Sequence, residues 1–187
     1  VWKEARDLVV GDHIVSRVSY PEIETPVTLP LFCGKTKVLN ENVAYFLGQF
    51  LSDGYYEKYT YAKKSRIGFS SADKPIIDFI QSTLLNEFGY SAKLEVRKSK
   101  YEHGKEMYIV RINNRVLTDY LATTFSLTNV DAYSKRIPHQ IFSSPKPILY
   151  AFLSGMLDGD GSLHKNRHCI HYGSVSELLI KEAALLL

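Results

Sequence analysis

Cysteine, long apolar runs and an excess of charge of one sign are all scarce in this sequence, and each scarcity excludes a class of protein. The two cysteines, Cys33 and Cys169, are too few for a disulfide framework and lack a metal-ligand spacing, which predicts reduced thiols in a cytoplasmic protein. No apolar run is long enough to cross a bilayer and no secretory leader is visible, so we expect no membrane partner. The formal net charge is only +3, so a surface that binds DNA has to come from local clustering of basic residues.

An internal repeat is the most informative feature that is present. The first copy reads FLGQFLSDG over residues 46–54, and the second reads LSGMLDGDG over residues 153–161. In both copies an apolar opening is followed by glycine, further apolar positions, a small residue and Asp-Gly. Two copies of one unit in a chain of 187 residues, 45% of them hydrophobic, predict one substantial core or two small domains.

Each copy is predicted to form a helix with one face free of side-chain bulk. Gly48 and Ser52 lie about one helical turn apart in the first copy and therefore share a face. Gly155 and Gly159 repeat this spacing in the second copy. Glycine inside a helix costs roughly 1 kcal/mol relative to alanine, so its repetition predicts that two helix backbones approach closely, each copy against the other.

The glycine after each copy predicts where the helix ends and leaves an acid in its last turn. Gly54 and Gly161 are of the residue type favoured just past a helix C-terminus. Asp53 and Asp160 then lie where the helix dipole disfavours a negative charge. If the helices pair, the two carboxylates meet near a pseudo-twofold axis and repel each other unless a cation lies between them. Carboxylate oxygens favour hard divalent ions, above all Mg²⁺.

The two copies resemble the paired signature helices of the LAGLIDADG homing endonucleases, in the dodecapeptide form found inside inteins. The resemblance implies that the last acid of each copy, Asp53 or Asp160, binds the catalytic Mg²⁺ and that the chain hydrolyses double-stranded DNA. The earlier acidic position of the motif holds Leu51 in the first copy and Asp158 in the second, so one copy lacks it. A single copy would indicate only an apolar core helix ending at Asp-Gly, whereas two copies favour the family.

The sequences that follow the two copies are also similar, which extends the repeat to a larger unit. Residues 66–73 and 169–176 each begin as a strand and pass a Ser/Asp helix-start signal into an amphipathic helix. We therefore predict an α/β (α+β) fold of two pseudo-symmetric α-β-β-α units, with paired signature helices and a basic antiparallel β-saddle. The first unit is assigned to residues 40–130 and the second, truncated unit to residues 131–187.

Three segments are predicted along the chain. Residues 1–20 hold a Trp, an Ala and a Leu before a Gly-Asp turn, and they resemble part of the Hint (intein splicing) domain. Residues 21–39 contain three prolines and little periodicity, which predicts an extended linker. The endonuclease domain is assigned to residues 40–187, with Asn40 or Asn42 capping its first helix.

Basic residues interleaved with tyrosines predict a DNA-facing surface on the first unit. Lys93, Glu95 and Arg97 alternate with apolar residues around 91–98, as expected for a strand with one solvated face, and a second strand is predicted around 107–112. Lysines and arginines on such a sheet neutralise phosphates in the major groove. The candidate DNA-binding residues are Lys58, Lys63, Lys64, Arg66, Lys93, Arg97 and Arg111. Composition alone leaves an ordinary solvated sheet as an equal alternative, and the family resemblance favours DNA.

A third catalytic candidate precedes the second copy of the repeat. Lys135-Arg136-Ile137-Pro138 resembles a Lys-x-Ile-Pro block of intein endonucleases, whose lysine lies at the active site. The resemblance implies that Lys135 stabilises charge on the phosphate or positions the attacking water. A surface lysine before a proline turn is the alternative.

The sequence-based hypothesis is an intein homing endonuclease that makes a metal-dependent double-strand break in a long recognition sequence. We expect a fragment, because the second unit has no counterpart of residues 89–125 and the splicing residues are absent; exteins of a host protein are partners of the full precursor. Family members with two motifs are usually monomeric, and the oligomeric state of this chain stays open. Two alternatives remain: a LAGLIDADG-fold module that binds DNA without cutting it, and an α/β domain whose glycine-rich helices only pack.

Overall fold

The structure, a computed structural model, alternates helices with antiparallel strands. It describes residues 7, 9–10, 22–59, 64–98, 104–127, 131–164 and 169–187, so most of the predicted Hint-like segment lies outside the described residues. The helices are α1 (Glu41–Asp53), α2 (Lys74–Phe88), α3 (Arg115–Thr124), α4 (His139–Phe142), α5 (Lys146–Asp160) and α6 (Glu177–Leu186). The strands are β1 (Thr28–Phe32), β2 (Lys35–Val38), β3 (Gly54–Tyr59), β4 (Lys64–Ser71), β5 (Leu94–Lys98), β6 (Glu106–Ile112), β7 (Gly161–His164) and β8 (Cys169–Tyr172). Among the described residues, no helix combines the length and the apolar character needed to span a membrane.

Helices α1 and α5 form the centre of the fold and pack backbone to backbone through glycine. A Cβ atom at Gly48 would lie 2.2 Å from the carbonyl oxygen of Phe152, and a Cβ atom at Gly155 would lie 2.2 Å from that of Tyr45. No side chain can be accommodated at such distances, so the close approach requires glycine in both helices. Tyr45 and Phe152 hold equivalent positions in the two copies of the repeat, so a pseudo-twofold axis relates the two contacts. The predicted pair of signature helices is confirmed.

A polar contact between the two helices is not repeated on the other side of the pseudo-twofold axis. The Tyr45 hydroxyl donates a hydrogen bond to the Asp158 carboxylate at 2.8 Å. Burial, this hydrogen bond and the charge of Asp158 all raise the pKa of Tyr45. The equivalent positions on the other side of the axis hold Phe152 and Leu51, which are both buried and apolar. The two halves of the pair are therefore similar but not interchangeable.

Each helix of the pair leads into an antiparallel hairpin and then a second helix, as the repeat predicts. The first unit extends its hairpin into a four-stranded sheet with the order β3-β4-β6-β5, whereas β7 and β8 form a two-stranded sheet. Gly54 pairs with Phe69 in the first unit, and Gly161 pairs with Tyr172 in the second. These equivalent pairings confirm the α-β-β-α units and place both hairpins directly after the helix ends.

The ends of α1 and α5 follow from the local sequence. The side chain of Asn40 accepts a hydrogen bond at 2.9 Å from a backbone N–H in the first turn of α1, which identifies it as the N-cap. Gly54 and Gly161 follow the two helices as predicted, but both have a φ of −80° and neither is left-handed. Glycine is needed there because a Cβ atom at Gly161 would lie 2.2 Å from a carbonyl oxygen of the preceding turn.

The segment predicted to be an extended linker contains the β1–β2 hairpin, which corrects that prediction. Its two-residue turn has positive φ at both Cys33 (49°) and Gly34 (75°), the requirement of a type I′ turn. The hairpin packs on the first unit, where the Tyr120 hydroxyl donates a hydrogen bond to the Pro30 carbonyl at 3.0 Å. Pro30 is tolerated because it lies in an irregularity of the pairing, where the ladder needs no N–H donor.

Candidate metal and DNA site

Asp53 and Asp160 are the last residues of α1 and α5, and the packing of these helices brings the two carboxylates to one site. A Cβ atom at Gly159 would lie 2.4 Å from Cβ of Ser52 and 3.4 Å from the Asp53 carboxylate, so the two helix ends are in contact. Burial raises the pKa of Asp53, and the negative charge of Asp160 raises it further. Two acids that repel each other at the ends of two helices form a place where a cation is stabilised.

We expect the substitution Asp53→Asn to raise the melting temperature by a few degrees at pH 7 in metal-free buffer. The pKa of Asp53 is raised in the folded state, so its ionisation destabilises the fold progressively as the pH rises through that pKa. Asparagine removes this penalty at neutral pH, and the difference disappears below the ordinary Asp pKa of about 3.9, where the carboxyl is protonated in both states. Circular dichroism melts at pH 7 and at low pH measure both effects.

A matched control for this prediction is Asp73→Asn, which removes the same charge from an exposed residue that precedes α2 and makes no capping hydrogen bond. It is expected to leave the melting temperature unchanged or slightly lower, because an acid at a helix N-terminus is weakly stabilising. An equal rise in both variants would show that net charge, and not the position of Asp53, is responsible.

Lys135 lies near Asp53 and is held at both ends. Its ammonium donates hydrogen bonds to the backbone carbonyls of Leu51 and Ser52, the latter at 3.1 Å. These carbonyls belong to the C-terminus of α1, where the helix dipole favours a positive charge. The charge of Lys135 also lowers the pKa of Asp53, against the two raising effects. The Ser176 hydroxyl donates to the backbone carbonyl of Lys135 at 2.7 Å, which fixes the other end of the residue.

Helix α6 fixes the two residues that follow this lysine. Arg136 donates a hydrogen bond to the Glu182 carboxylate at 2.7 Å, and the backbone N–H of Ile137 donates to the same carboxylate at 2.8 Å. Glu182 and Ile137 are both buried. The segment that carries Lys135 is therefore part of the packed structure and not a surface turn.

The pseudo-symmetric counterpart of the Lys135 position is an open cavity of about 450 Å³. Asp73 and Asp158 contribute to its lining. Their counterparts in the other half, Ser176 and Leu51, are the residues whose hydroxyl and carbonyl hold Lys135. The two ends of the helix pair therefore have different surroundings, with a partly buried ammonium beside α1 and an acidic cavity beside α5.

Tyr172 belongs to this site although the sequence did not single it out. It pairs in β8 with Gly161, the residue that follows Asp160. Its hydroxyl is buried and finds no hydrogen-bond partner among the described residues. Burial raises the pKa of Tyr172 and the charge of Asp160 raises it further, whereas the nearby Ser52 hydroxyl lowers it. The first unit has Phe69 at this position, so only a position-by-position comparison of the two units reveals the added hydroxyl.

The outer face of the four-stranded sheet carries three of the predicted DNA-binding arginines, each beside a glutamate. Arg66 lies 3.6 Å from the Glu57 carboxylate. The Glu95 carboxylate lies between Arg97 and Arg111 and forms a hydrogen bond with each. These hydrogen bonds lower the pKa of Glu95. The outer face thus carries many charges, but glutamates neutralise the positive charge of its arginines. These ion pairs could not be predicted from the sequence pattern.

The remaining predicted DNA-binding residues are all lysines. Lys93 is exposed immediately before β5. Lys58 and Lys64 belong to β3 and β4, and their side chains are not among those described. Lys63 lies outside the described residues. The strand predicted around 91–98 is present as β5, and Leu94 pairs there with the buried Val110. Val96 lies on the same face but is 50% exposed, so the predicted apolar face does not extend along the whole strand.

The donor set at the helix ends is limited to two carboxylates. Among the described residues, no group of three or more His, Cys, Asp or Glu side chains could hold a metal ion. A metal held at this site by the described part of the chain would therefore take Asp53 and Asp160 as its protein ligands. Such a set suits Mg²⁺, which binds through one or two carboxylates and takes its other ligands from water and substrate phosphates.

Comparison with known proteins gives a family match and several distant relatives. Residues 40–123 and 148–187 match the family described as a LAGLIDADG-like domain. The chain is 28% identical to a DNA polymerase of Thermococcus kodakarensis over 152 residues, which are 80% of this chain and 8% of that protein. It is 25% identical to the ATP-dependent DNA helicase Hel308 of Methanocaldococcus jannaschii over 190 aligned residues, which are 99% of this chain and 14% of that protein. The chain therefore spans only a small part of the length of either relative.

A solved structure supports the same architecture. The structure of I-DmoI in complex with DNA and Mn superposes with a TM-score of 0.55 at 18% sequence identity, covering 79% of this chain and 76% of that chain. At this identity the likeness concerns the fold alone. It agrees with the α+β arrangement of paired helices α1 and α5 over an antiparallel sheet.

Proposed function

Since this chain belongs to the LAGLIDADG family, we propose that it is the homing endonuclease of an intein and makes a Mg²⁺-dependent double-strand break in a long DNA recognition sequence. The observation that carries the proposal is the meeting of Asp53 and Asp160 at the ends of two helices. Glycine at positions 48 and 155 permits the close approach of the helices, and this approach places two acids in an unfavourable position. A bound cation would offset the repulsion between them.

The two curated relatives support an intein as the context of the domain. A DNA polymerase and a DNA helicase are different enzymes, yet each contains a segment similar to this chain over 8% and 14% of its length. A short element shared by otherwise different proteins is typical of an insertion carried by a host. In this proposal residues 40–187 form the endonuclease domain, residues 1–20 belong to the splicing domain, and the exteins of the host are partners in the precursor.

Asp53 and Asp160 would hold the Mg²⁺ ion. When bound, the ion lowers the pKa of a coordinated water and stabilises the leaving oxygen of the phosphodiester. Packing of α1 against α5 orients both carboxylates before DNA arrives, so little reorganisation is needed during the reaction. In this proposal the two acids share one role, and each unit contributes one of them.

Lys135 would stabilise negative charge on the phosphate next to Asp53. Its ammonium is held by the carbonyls of Leu51 and Ser52, so its position is set before substrate binds. A fixed positive charge in a partly buried site stabilises a developing anion more strongly than a mobile surface lysine does. The charge of Lys135 also favours the ionised form of the Asp53 carboxylate, the form that a metal requires.

The outer face of the sheet would contact DNA through Lys93, Arg97, Arg111 and Arg66. Contacts to phosphates position the duplex, and contacts to base edges supply the sequence preference. Because Glu95 compensates two of these arginines, binding to arbitrary DNA is expected to be weak. A site whose contacts replace both hydrogen bonds to Glu95 would be favoured, which is consistent with a long recognition sequence.

The proposal predicts that the chain cuts specific sequences from a random double-stranded DNA library when Mg²⁺ is present and cuts none in EDTA. The cleaved ends are captured and sequenced, and the uncut fragments retained on the protein are sequenced separately. A shared long motif at the cleaved ends is the expected result.

The same experiment separates the alternatives. Retained fragments with a common motif but no cleaved ends would indicate a module that binds DNA without cutting it. If the chain neither cuts nor selectively retains DNA, the glycine-rich helix pair has only a packing role.

A further inference from the structure

The hydroxyl of Tyr172 is a buried polar group that the proposed reaction does not use. It lies next to Asp160, whose charge acts on it, and it has no hydrogen-bond partner among the described residues. Buried hydroxyls in proteins are nearly always hydrogen-bonded to protein or to water. The partner of this hydroxyl is therefore a group that joins the site, and the charged residue that acts on the hydroxyl there is Asp160, which directly precedes the strand partner of Tyr172.

Ser52 does not satisfy the requirement. The Ser52 hydroxyl lies near Tyr172, but it donates its own proton to the Met156 carbonyl at 2.9 Å. It is close enough to act on Tyr172 as a hydrogen-bonding group and lower its pKa, but the two hydroxyls do not reach the distance and angles of a hydrogen bond. The proton of Tyr172 thus remains available to an acceptor on the Asp160 side.

The first unit shows why the second needs such a donor. Its equivalent residue, Phe69, packs its ring against Phe46 and Phe50 with centroid distances of 4.9 and 5.9 Å. On that side the carboxylate of Asp53 is half-buried and lies beside the ammonium of Lys135. Asp160 is exposed, and the position that corresponds to Lys135 is a cavity on its side. The Tyr172 hydroxyl therefore occurs in the second unit, where Asp160 has fewer surrounding groups to fix its orientation than Asp53 has in the first unit.

We infer that Tyr172 is a positioning residue of the Asp160 site: its hydroxyl donates a hydrogen bond, through a bound water, to the Asp160 carboxylate and fixes its orientation for metal binding. The inference rests on the proposed role of Asp160 as a metal ligand. Hydrogen bonds to ligating carboxylates orient them, and their loss typically weakens metal binding by about 10–100-fold. Tyr172 acts through Asp160 and needs no contact with DNA.

Mn²⁺ binding to the full chain tests this inference without any DNA substrate. Calorimetry is carried out on the wild type, Tyr172→Phe, Asp160→Asn and Tyr108→Phe. Tyr172→Phe keeps the ring and removes only the hydroxyl, so we expect about tenfold weaker Mn²⁺ binding with an unchanged melting temperature. Tyr108→Phe is the matched control, because its hydroxyl binds Glu106 at 2.6 Å on the far part of the sheet, and it should bind Mn²⁺ as the wild type does.

A spectroscopic readout distinguishes positioning from packing. Addition of Mn²⁺ is expected to perturb the ultraviolet absorption of a tyrosine in the wild type and in Tyr108→Phe, and this perturbation should be absent in Tyr172→Phe. A residue that only packs would give neither a change of affinity nor a loss of this signal.

The outcomes separate this inference from the proposed function. If Asp160→Asn weakens Mn²⁺ binding and Tyr172→Phe does not, the role of Tyr172 is wrong and the metal site stands. If the wild type and Asp160→Asn bind Mn²⁺ equally, the proposed metal site is wrong and the inference is overturned with it.

Discussion

Asparagine at position 53 or 160 is expected to abolish DNA cleavage while DNA binding is retained. Each substitution removes one of the two carboxylates that would hold Mg²⁺ and leaves the shape of the helix end unchanged. A catalytic metal contributes several kcal/mol to transition-state stabilisation, and a loss of about 4 kcal/mol corresponds to a rate lower by roughly 10³-fold. Cleavage rates are measured on a sequence recovered from the library selection, and Mg²⁺ binding is measured by calorimetry for the same variants and for the double variant.

Asp158→Asn is the matched control for this prediction. Asp158 carries the same charge in the same last turns of α5, but it is hydrogen-bonded to Tyr45 and faces the acidic cavity. Its substitution should leave Mg²⁺ affinity and cleavage within about twofold of the wild type, because its carboxylate is bonded to Tyr45 and lines the cavity and is not one of the two proposed metal ligands. Full cleavage by the Asp53→Asn/Asp160→Asn double variant would refute the proposed metal site.

Alanine in place of Gly48 or Gly155 is expected to destabilise the protein by about 2 kcal/mol, although alanine is the better helix former. The added methyl group would lie 2.2 Å from a carbonyl oxygen of the facing helix, so α1 and α5 have to separate along their whole contact. Overpacking of this kind costs typically 1–3 kcal/mol, and here the obstacle is backbone that cannot adopt another rotamer. The gain in helix propensity, roughly 1 kcal/mol, offsets only part of the loss.

Urea denaturation measures this prediction, and Gly173→Ala provides its control. Gly173 has no atom within 4 Å of an added Cβ and does not have a positive φ, so alanine there should be close to neutral. The helix-pair variants should also bind Mg²⁺ more weakly, because separated helix ends hold Asp53 and Asp160 farther apart. Equal stability of Gly48→Ala and Gly173→Ala would contradict the proposed reason for glycine in the repeat.

The sequence predicts the central helix pair because the pattern that this pair requires, glycine followed by Asp-Gly, occurs twice in the chain. Gly48 and Gly155 recur in the same context, and each is followed by Asp-Gly, so the helix pair and the meeting of the two acids could be derived before the structure. The cap at Asn40 is a local signal of the same clarity, since the capping bond spans less than one helical turn.

The features that could not be predicted depend on contacts between distant segments. Glu95 compensates Arg111, which lies on the neighbouring strand, and only the pairing of β5 with β6 brings the two together. The β1–β2 hairpin was missed because its prolines obscured the alternation, although Cys33-Gly34 was a usable turn signal. The importance of Tyr172 was invisible because tyrosine and phenylalanine appear equivalent in an apolar pattern, and the difference is a single hydroxyl.

The hydrogen bond between Tyr45 and Asp158 favours the pairing of a first unit with a second unit. If the two units were produced as separate polypeptides, the bond would form only between a first unit and a second unit. Two first units would place the hydroxyl of Tyr45 against the apolar Leu51, and two second units would place the carboxylate of Asp158 against the ring of Phe152. Either self-pairing loses this hydrogen bond, and because Asp158 is exposed and Tyr45 is partly buried, water replaces part of it and the loss is about 1 kcal/mol. The hydrogen bond would thus favour the mixed pair, a heterodimer, over either homodimer.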